Sequence, residues 1–360
     1  MTPESLEKHA GILMERIEKK PVIANDLINT YIAKHKHFSG DDKRTLLDLV
    51  WRCVRGMARL KYIYPNDSWA ARVKVLAEKG LLNMDNAPSH VKWEVPEWFL
   101  NHVPDAAKEL PALLENPSII LRAIGDRNKV QQVLLSDAVE TELTKLSPYG
   151  LILSEYKNLA GTKAWKDGLI EIQDEGAQLV ALDIGVKPND TVFDFCAGAG
   201  GKSLIFAQMM KNKGLIWAYD ITAKKLFELV KRAKRAHVDI IEIKTQLPPP
   251  TKQFDYVVVD APCSGCGTWR RSPNMRWHLT EKQLGHIVKS QTEILNRAEA
   301  YVKDGGKLAY ITCSLTKDEN EDQIALFLEA HPNYKVIKQK RYSPWRTGTD
   351  GFFLCLMEKA

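Results

Sequence analysis

The chain has 360 residues, 44% hydrophobic and 27% charged. That composition excludes a wholly disordered chain and, at roughly 100–200 residues per domain, allows two or three domains. No apolar run approaches the roughly 18–20 residues of a membrane span, which excludes a helical membrane protein, and the net charge of +6 permits a nucleic-acid partner without demanding one.

The opening MTPESLEKHAGILMERIEKK is charged and amphipathic and lacks an apolar signal core, so a cytoplasmic protein is expected. Its six cysteines are unevenly spaced, which fits free or functional thiols in a reducing compartment better than a disulfide framework. Residues 1 to about 85 read as helical. In DDKRTLLDLVWRCVRGMARLKYI, the apolar residues Leu46, Leu47, Val50, Val54, Met57 and Leu60 recur at offsets of three and four and form one face. Arg44, Arg52, Arg55, Arg59 and Lys61 fall mostly off that stripe. They form either the solvated face of a helical bundle or a face that meets phosphates.

Pro88, Pro96, Pro104, Pro111 and Pro117 follow, and they place a boundary near 85–95. From Ile119 to about Glu171 the runs IILRAI, LILSEY and LIEIQ alternate with a helical stretch around 128–146, the pattern of a small α+β module. From about 172 onward, strands and helices alternate. The strands are TVFDFC, GLIWAYD, IIEIK, FDYVVVDAP and GGKLAYITCS; the helices are KSLIFAQMMK, TAKKLFELVKRAKRA and LTEKQLGHIVKSQTEILNRAEAYV. Short apolar strand runs of this kind belong to a buried, mostly parallel sheet. The expected organisation is an all-α domain over 1–90, an α+β module over 91–168 and a doubly wound, Rossmann-like α/β domain over 169–360.

The first strand of that last region ends in DFCAGAGGKS, residues 194–203, with a helix directly after it. Gly198, Gly200 and Gly201 permit a tight turn with room for a ligand above the strand ends. A Walker A loop needs glycine where Cys196 stands. A dinucleotide fingerprint needs a third small residue where Ser203 stands, an imperfect fit. A methyl-donor site needs an acid ending the first strand, a glycine turn, and an acid ending the second strand for ribose hydroxyls. Asp194, the turn and Asp220 meet all three demands.

Two later strands end in DAPCSGCGTWRRSPNMRW, residues 260–277, and in TCSL, residues 312–315. Asp260, Cys263 and Cys313 therefore sit at carboxyl ends of strands, where open sheets build their sites. A single cysteine is often packed filler; two at strand ends facing one cleft argue for chemistry. Cys263 and Cys266 also form a C-x-x-C, but the order of elements is wrong for a thioredoxin-like redox pair. A zinc site needs two further ligands, and the nearby candidates, Cys196 and Cys313, would have to leave the cleft, so no metal is expected.

The segments DFCAGAGGKS, DAPCSGCGTWRRSPNMRW, ITCSLTKDENE and DGFFLCLMEK resemble the NOL/NOP2/Sun family of RNA cytosine-5 methyltransferases, and QDEGAQL and PEWFL match its expected positions. The resemblance covers residues 94–360, and the helical start looks like the NusB-like RNA-binding domain of the family's bacterial small-subunit rRNA enzymes. The resemblance implies S-adenosylmethionine as methyl donor. It gives Cys313 the attack on cytosine carbon 6, Cys263 the release of product, and Asp260 hydrogen bonds to the base. For the donor it implies Cys196, Ala197, Gly198, Ala199, Gly200, Gly201, Lys202, Asp220, Lys225 and Asp260. Lys202 either neighbours the thiols, packs over the donor's carboxylate or holds the turn. Lys225 stands where the family usually has arginine, so a bidentate contact is lost there. Gly198-Ala199 replaces a common Ala-Pro, and no Asp lies between Asp239 and Asp255 to meet the adenine edge.

The target base must be single-stranded or flipped out to reach a cysteine in a cleft. Arg270 and Arg271 are the expected phosphate contacts, and Lys231, Arg232, Lys234 and Arg235 either extend that surface or form a solvated helix face. Trp269 and Trp277 either stack on a base or pack a core. The leading reading is a monomeric RNA cytosine C5 methyltransferase acting on small-subunit rRNA, with tRNA as the other substrate. The rivals are a P-loop-like NTPase acting on RNA and a non-catalytic RNA-binding or ribosome-assembly protein.

Overall fold

The computed structural model describes residues 1–80, 84–249 and 251–360; residues 81–83, at the end of the region read as helical, lie outside it. Contacts divide the chain into two units. One is Met1–Asn116 with Thr268–Leu284; the other is Pro117–Gly267 with Gly285–Ala360. The expected boundary near 90 thus falls inside the first unit, and the one near 168 falls inside the second.

The first unit contains α1 (Pro3–Lys19), α2 (Ala24–Lys34), α3 (Gly40–Arg55), α4 (Met57–Ile63) and α5 (Trp69–Lys79), with the short α6 (Ser89–Lys92) and α7 (Ala106–Ala112). Ser39 and Asp42 form a reciprocal capping box that starts α3. The apolar stripe read from the sequence is buried at Leu46, Val50, Val54, Met57 and Leu60, and the helix breaks at Gly56. No side chain of its own caps α4. Glu94, fully buried and 36 residues away in sequence, instead accepts from the Ala58 and Arg59 amides at 2.7 and 3.1 Å. Arg55 and Arg59, candidates for a phosphate-facing surface, instead donate to the Arg270 and Lys92 carbonyls.

Segment 268–284 belongs to this unit because its polar groups complete it. Asn274 accepts from the Ala24 amide and donates to the Val22 carbonyl. Trp269, 2% exposed, packs on Phe99 of PEWFL, with ring centroids 4.7 Å apart, and Trp277 packs against the helical core. Arg276, 1% exposed, donates to the carbonyls of Glu94 at 3.0 Å, Trp269 at 3.4 Å and Leu113 at 3.5 Å. Burial pushes Glu94 up to about 7, and the two α4 amides, Arg276 and Arg59 oppose that rise. Removing one member of such a buried set strands the others. Arg276→Ala is expected to destabilise this unit by about 3–5 kcal/mol. Thermal unfolding checks this, and a midpoint within about 1 °C of the wild type would contradict it.

The second unit contains two sheets. The smaller has β1 (Ile120–Ala123), β2 (Thr141–Leu143), β3 (Gly150–Leu153) and β4 (Ile170–Ile172), in the antiparallel order β2-β3-β1-β4, with α8 (Arg127–Ser136) and α9 (Lys163–Lys166). The helix expected over 128–146 therefore stops at Ser136. Ala138 takes φ +56°, which no helix continues, and β2 uses the rest.

The larger sheet has β5 (Thr191–Asp194), β6 (Leu215–Tyr219), β7 (Ile241–Lys244), β8 (Phe254–Asp260), β9 (Val302–Thr312), β10 (Tyr334–Tyr342) and β11 (Phe352–Lys359), in the order β10-β11-β9-β8-β5-β6-β7. Pairs β5–β6, β6–β7, β5–β8 and β8–β9 are parallel, and β11 runs antiparallel to both neighbours. Alternation along each strand feeds two cores. Val192, Tyr256, Val258, Ala309 and Ile311 face one, with α10 (Glu175–Ile184) and α11 (Gly201–Met209). Phe193, Val257, Val259, Leu308 and Tyr310 face the other, with α13 (Glu281–Glu299) and α14 (Glu321–Ala330). Helices on both faces make this the doubly wound, Rossmann-like α/β fold that the strand pattern implied. The order reverses between β5 and β8, so Asp194 and Asp260 end adjacent strands at the switch point.

The two sheets are joined by buried charge. Glu171 of β4 pairs with Arg232 and Arg235 of α12 (Ala223–Arg235), and Arg235 also lies 3.7 Å from the Trp165 ring. Half of the basic run read as an RNA surface is therefore half-buried and paired to an acid within the chain.

Candidate active site

The glycine turn follows β5 directly. Gly200 takes φ +83°, and a Cβ there would lie 2.1 Å from Leu229 Cδ1, so α12 packs where only glycine fits. The turn is braced from QDEGAQL: Gln173 donates to the Gly201 carbonyl at 2.9 Å and accepts from the buried Arg122 at 2.7 Å. Asp220, just past β6, accepts from the Gly198 amide at 2.9 Å through Oδ2 and from the Thr222 amide at 2.7 Å through Oδ1. Both bonds fix the carboxylate at the rim of a cavity of about 280 Å³.

Cys196, Gly198, Asp220, Lys225 and Asp260 line that cavity, together with Phe195, Tyr219 and Ile221. Ala197, Ala199, Gly200, Gly201 and Lys202 do not line it: Ala197 is buried, and the Ala199 and Gly201 carbonyls are taken by Arg232 and Gln173. The missing acid after β7 is not replaced from that strand. Ile294 and Arg297 of α13 supply cavity wall instead, a contribution from about 100 residues downstream that no local motif announces.

Asp194 is fully buried beneath the turn; Oδ2 accepts from Ser203 Oγ at 2.6 Å, and Oδ1 is buried without a hydrogen-bond partner. Burial pushes its carboxyl up to about 7, partly offset by Ser203, with the Asp260 charge adding to the rise. The folded chain therefore holds a proton here that the unfolded chain, with a carboxyl near 3.9, has lost. Stability is fully present below pH ~4 and falls as pH rises through ~7. Asp194→Asn removes that dependence. Urea titrations at about pH 5 and pH 8 should show the variant gaining on the wild type by about 2–3 kcal/mol across this window. Parallel behaviour of the two proteins would contradict the assignment.

On the other side of the switch point, Lys202 Nζ lies 3.0 Å from Asp260 Oδ2. Lys202 is 7% exposed. Burial alone would lower it, but the Asp260 carboxylate holds it above its usual range, and Cys313 acts in the same direction. Lys202 thus pairs with Asp260 and stands near the thiols rather than lining that cavity.

Cys263 and Cys313 meet, with sulfurs 3.3 Å apart. The Cys313 hydrogen bond and burial push the Cys263 thiol well up, which keeps it a thiol. Cys266 is different. It is fully buried, accepts from the Leu315 amide at 3.0 Å, and is pushed up to about 11 by burial. It is a packing thiol, and among the described residues no group of three or more His, Cys, Asp or Glu is placed to hold a metal ion.

The DGFF segment supplies the backing of this pocket. Gly351 donates to the Gly267 carbonyl at 2.9 Å, and Gly267 donates to the Cys313 carbonyl at 3.0 Å. A Cβ on Gly267 would lie 2.3 Å from the Gly351 oxygen. Arg270 is 5% exposed, which corrects its reading as a phosphate contact; Arg271 is half-buried. The Asp220 and Asp260 carboxyls that line the cavity are unfavourable to a polyphosphate, which argues against the NTPase rival.

Similarity to known proteins bears on this pocket. The profile of the 16S rRNA methyltransferase RsmB/F family matches residues 181–357. The chain is 32% identical over 298 residues to the probable ribosomal RNA small subunit methyltransferase B of Bacillus subtilis (strain 168), covering 75% of this chain and 66% of that one. It is 30% identical over 314 residues to the protein of the same description from Synechocystis sp., covering 78% and 70%. The chain thus spans about two thirds of the length of these relatives. Among solved structures, PH0851 matches with a TM-score of 0.82 at 24% identity, covering 100% of this chain and 99% of that one. A methyltransferase homolog protein from Pyrococcus horikoshii matches with a TM-score of 0.65 at 23% identity, covering 75% and 97%. With two thiols, a lysine–aspartate pair and a glycine-turn cavity folded onto the stretch that the profile matches, the chain belongs to the RsmB/F family of 16S rRNA methyltransferases.

Proposed function

We propose that the protein methylates carbon 5 of a cytosine in small-subunit rRNA, using S-adenosylmethionine. The observation that carries this reading is the 3.3 Å approach of the Cys263 and Cys313 sulfurs beside the Lys202–Asp260 pair. A P-loop enzyme has no use for two such thiols, and neither has an assembly factor.

The cavity residues fit the donor. Asp220 presents a carboxylate oriented by two amides to ribose hydroxyls. Asp220, Cys196, Gly198 and Lys225 would hold it, with the neighbouring Ile221 as apolar wall. When bound, it supplies an electrophilic methyl group.

The chain's own residues supply the rest. Carbon 5 of cytosine is a poor nucleophile until a thiolate adds at carbon 6. Cys313 makes that addition. Asp260 accepts from the base amino group, and the Lys202 ammonium beside it steadies the negative charge that develops towards N3. After methyl transfer a base such as water takes the carbon 5 proton, the bond between carbon 6 and the Cys313 sulfur breaks, and Cys263, held as a thiol next to Cys313, gives its proton to the departing sulfur and so frees the product. Arg271, with the exposed Lys231 and Lys234 of α12, supplies phosphate contacts. The helical unit is the module that selects the RNA, as appended modules do in sequence-specific RNA readers. In this reading a single chain acts in the cytoplasm, where rRNA is found.

Bisulfite sequencing of total RNA, from cells with and without the protein, tests the reading. A single cytosine in small-subunit rRNA should lose its protection when the protein is absent. Loss of protection only in tRNA would reassign the substrate, and an unchanged pattern in all RNA would overturn the proposal.

A further inference from the structure

Glu319 is fully buried in the turn after Cys313, and none of the chemistry above uses it. Its Oε1 accepts from the Ser264 amide at 2.7 Å and from Gln291 Nε2 at 3.1 Å. Its Oε2 accepts from Ser264 Oγ at 2.6 Å, Thr316 Oγ1 at 3.0 Å and Ser314 Oγ. Ser264 follows Cys263 and Ser314 follows Cys313, so one carboxylate grips the residue after each cysteine. Gln291, also fully buried, extends the grip by donating to the Pro262 carbonyl at 3.0 Å. Asn320 closes the second turn on itself by donating to the Ser314 carbonyl at 2.9 Å.

A buried carboxylate is costly unless donors surround it, and five do so here. All five come from the two cysteine turns and from the helix that passes behind them. A neutral side chain could fill the same space. What a neutral side chain could not do is accept from five donors at once, nor place a fixed negative charge behind Cys263.

We propose that Glu319 is a positioning residue that clamps the two cysteine-bearing turns together, so that both sulfurs face one base and Cys263 stays protonated until product release. The inference rests on the reading of Cys313 as nucleophile and Cys263 as release group. The direction of the Cys263 shift agrees: after the Cys313 contact and burial, the Glu319 charge adds to the rise.

The test is made on the full chain without RNA or donor, so it does not depend on turnover. Iodoacetamide alkylation of Cys263 is followed against pH by peptide mass spectrometry, in wild type and in Glu319→Gln. The expected result is a downward shift of about one unit in the pH midpoint and about tenfold faster alkylation near pH 8 in the variant. Glu319→Asp, which keeps the charge, should restore a midpoint closer to the wild type. A purely structural acid would not move the midpoint, so identical profiles in folded Glu319→Gln and wild type would overturn the proposal. If Glu319→Gln fails to fold, Ser264→Ala decides. It removes one arm of the clamp and should speed Cys263 alkylation severalfold near pH ~8; an unchanged rate would overturn the proposal. A wild-type chain that alkylates as expected yet methylates no RNA would refute the proposed function and leave the clamp standing.

Discussion

Cys313→Ala should abolish methyl transfer, by at least about a thousandfold, while leaving donor affinity within about twofold of the wild type. The first half follows from the chemistry of the base. Without addition at carbon 6 the ring has no nucleophilic carbon 5, and no other described side chain in the pocket stands where Cys313 does. The second half follows from geometry. Cys313 does not line the donor cavity, whose walls come from the glycine turn, the ends of β6 and β8 with the residues that follow them, α12 and α13. Methyl incorporation into small-subunit rRNA and calorimetric donor binding measure the two halves separately. Appreciable turnover by the variant would remove Cys313 from its role. A lost donor affinity would show that the residue serves the fold of the cavity.

Cys263→Ala should have the opposite signature. Addition proceeds, methyl transfer proceeds, and elimination stalls, so protein and RNA remain joined. A denaturant-stable band of RNA-linked protein should accumulate with wild-type RNA and donor, and it should be at least about tenfold more abundant than with the unaltered chain. The 3.3 Å sulfur separation makes this specific: the group removed is the one in contact with the attacking sulfur. A substitution at Cys266 should give no such band, since that thiol is fully buried against the Leu315 amide and faces no substrate.

Much of this site was legible in the amino-acid order because strand ends are legible. An apolar run of five to seven residues followed by Asp-x-Pro-Cys or Thr-Cys-Ser announces both a buried strand and the residue that emerges from it. Asp220, Asp260, Cys263 and Cys313 were placed in that way, and the strand order brings their strands together. What stayed hidden depends on which way a side chain turns. Arg270 and Arg271 look alike as a pair of charges, yet Arg270 is packed inside the helical unit. Arg232 and Arg235 lie on a strongly amphipathic helix, but the partner that claims them, Glu171, is more than 60 residues away. Ile294 and Arg297 reach the donor cavity from a helix whose periodicity shows a buried face and not what that face meets. Glu319 sits in an acidic run, KDENE, whose ordinary reading is a solvated turn. Only the folded chain shows five donors converging on it. The inclusion of Thr268–Leu284 in the helical unit was hidden for a similar reason, since boundaries read along the chain cannot reveal a segment borrowed by a distant part.

The most direct test of the central claim is to locate the bond. The adduct formed by Cys263→Ala on small-subunit rRNA is digested with nuclease and protease, and the cross-linked peptide is sequenced by mass spectrometry. The account predicts a methylated cytidine nucleotide joined to the sulfur of Cys313, within the peptide that contains TCSL. A nucleotide on any other residue, or no covalent nucleotide under conditions where the unaltered chain methylates the same RNA, would contradict it.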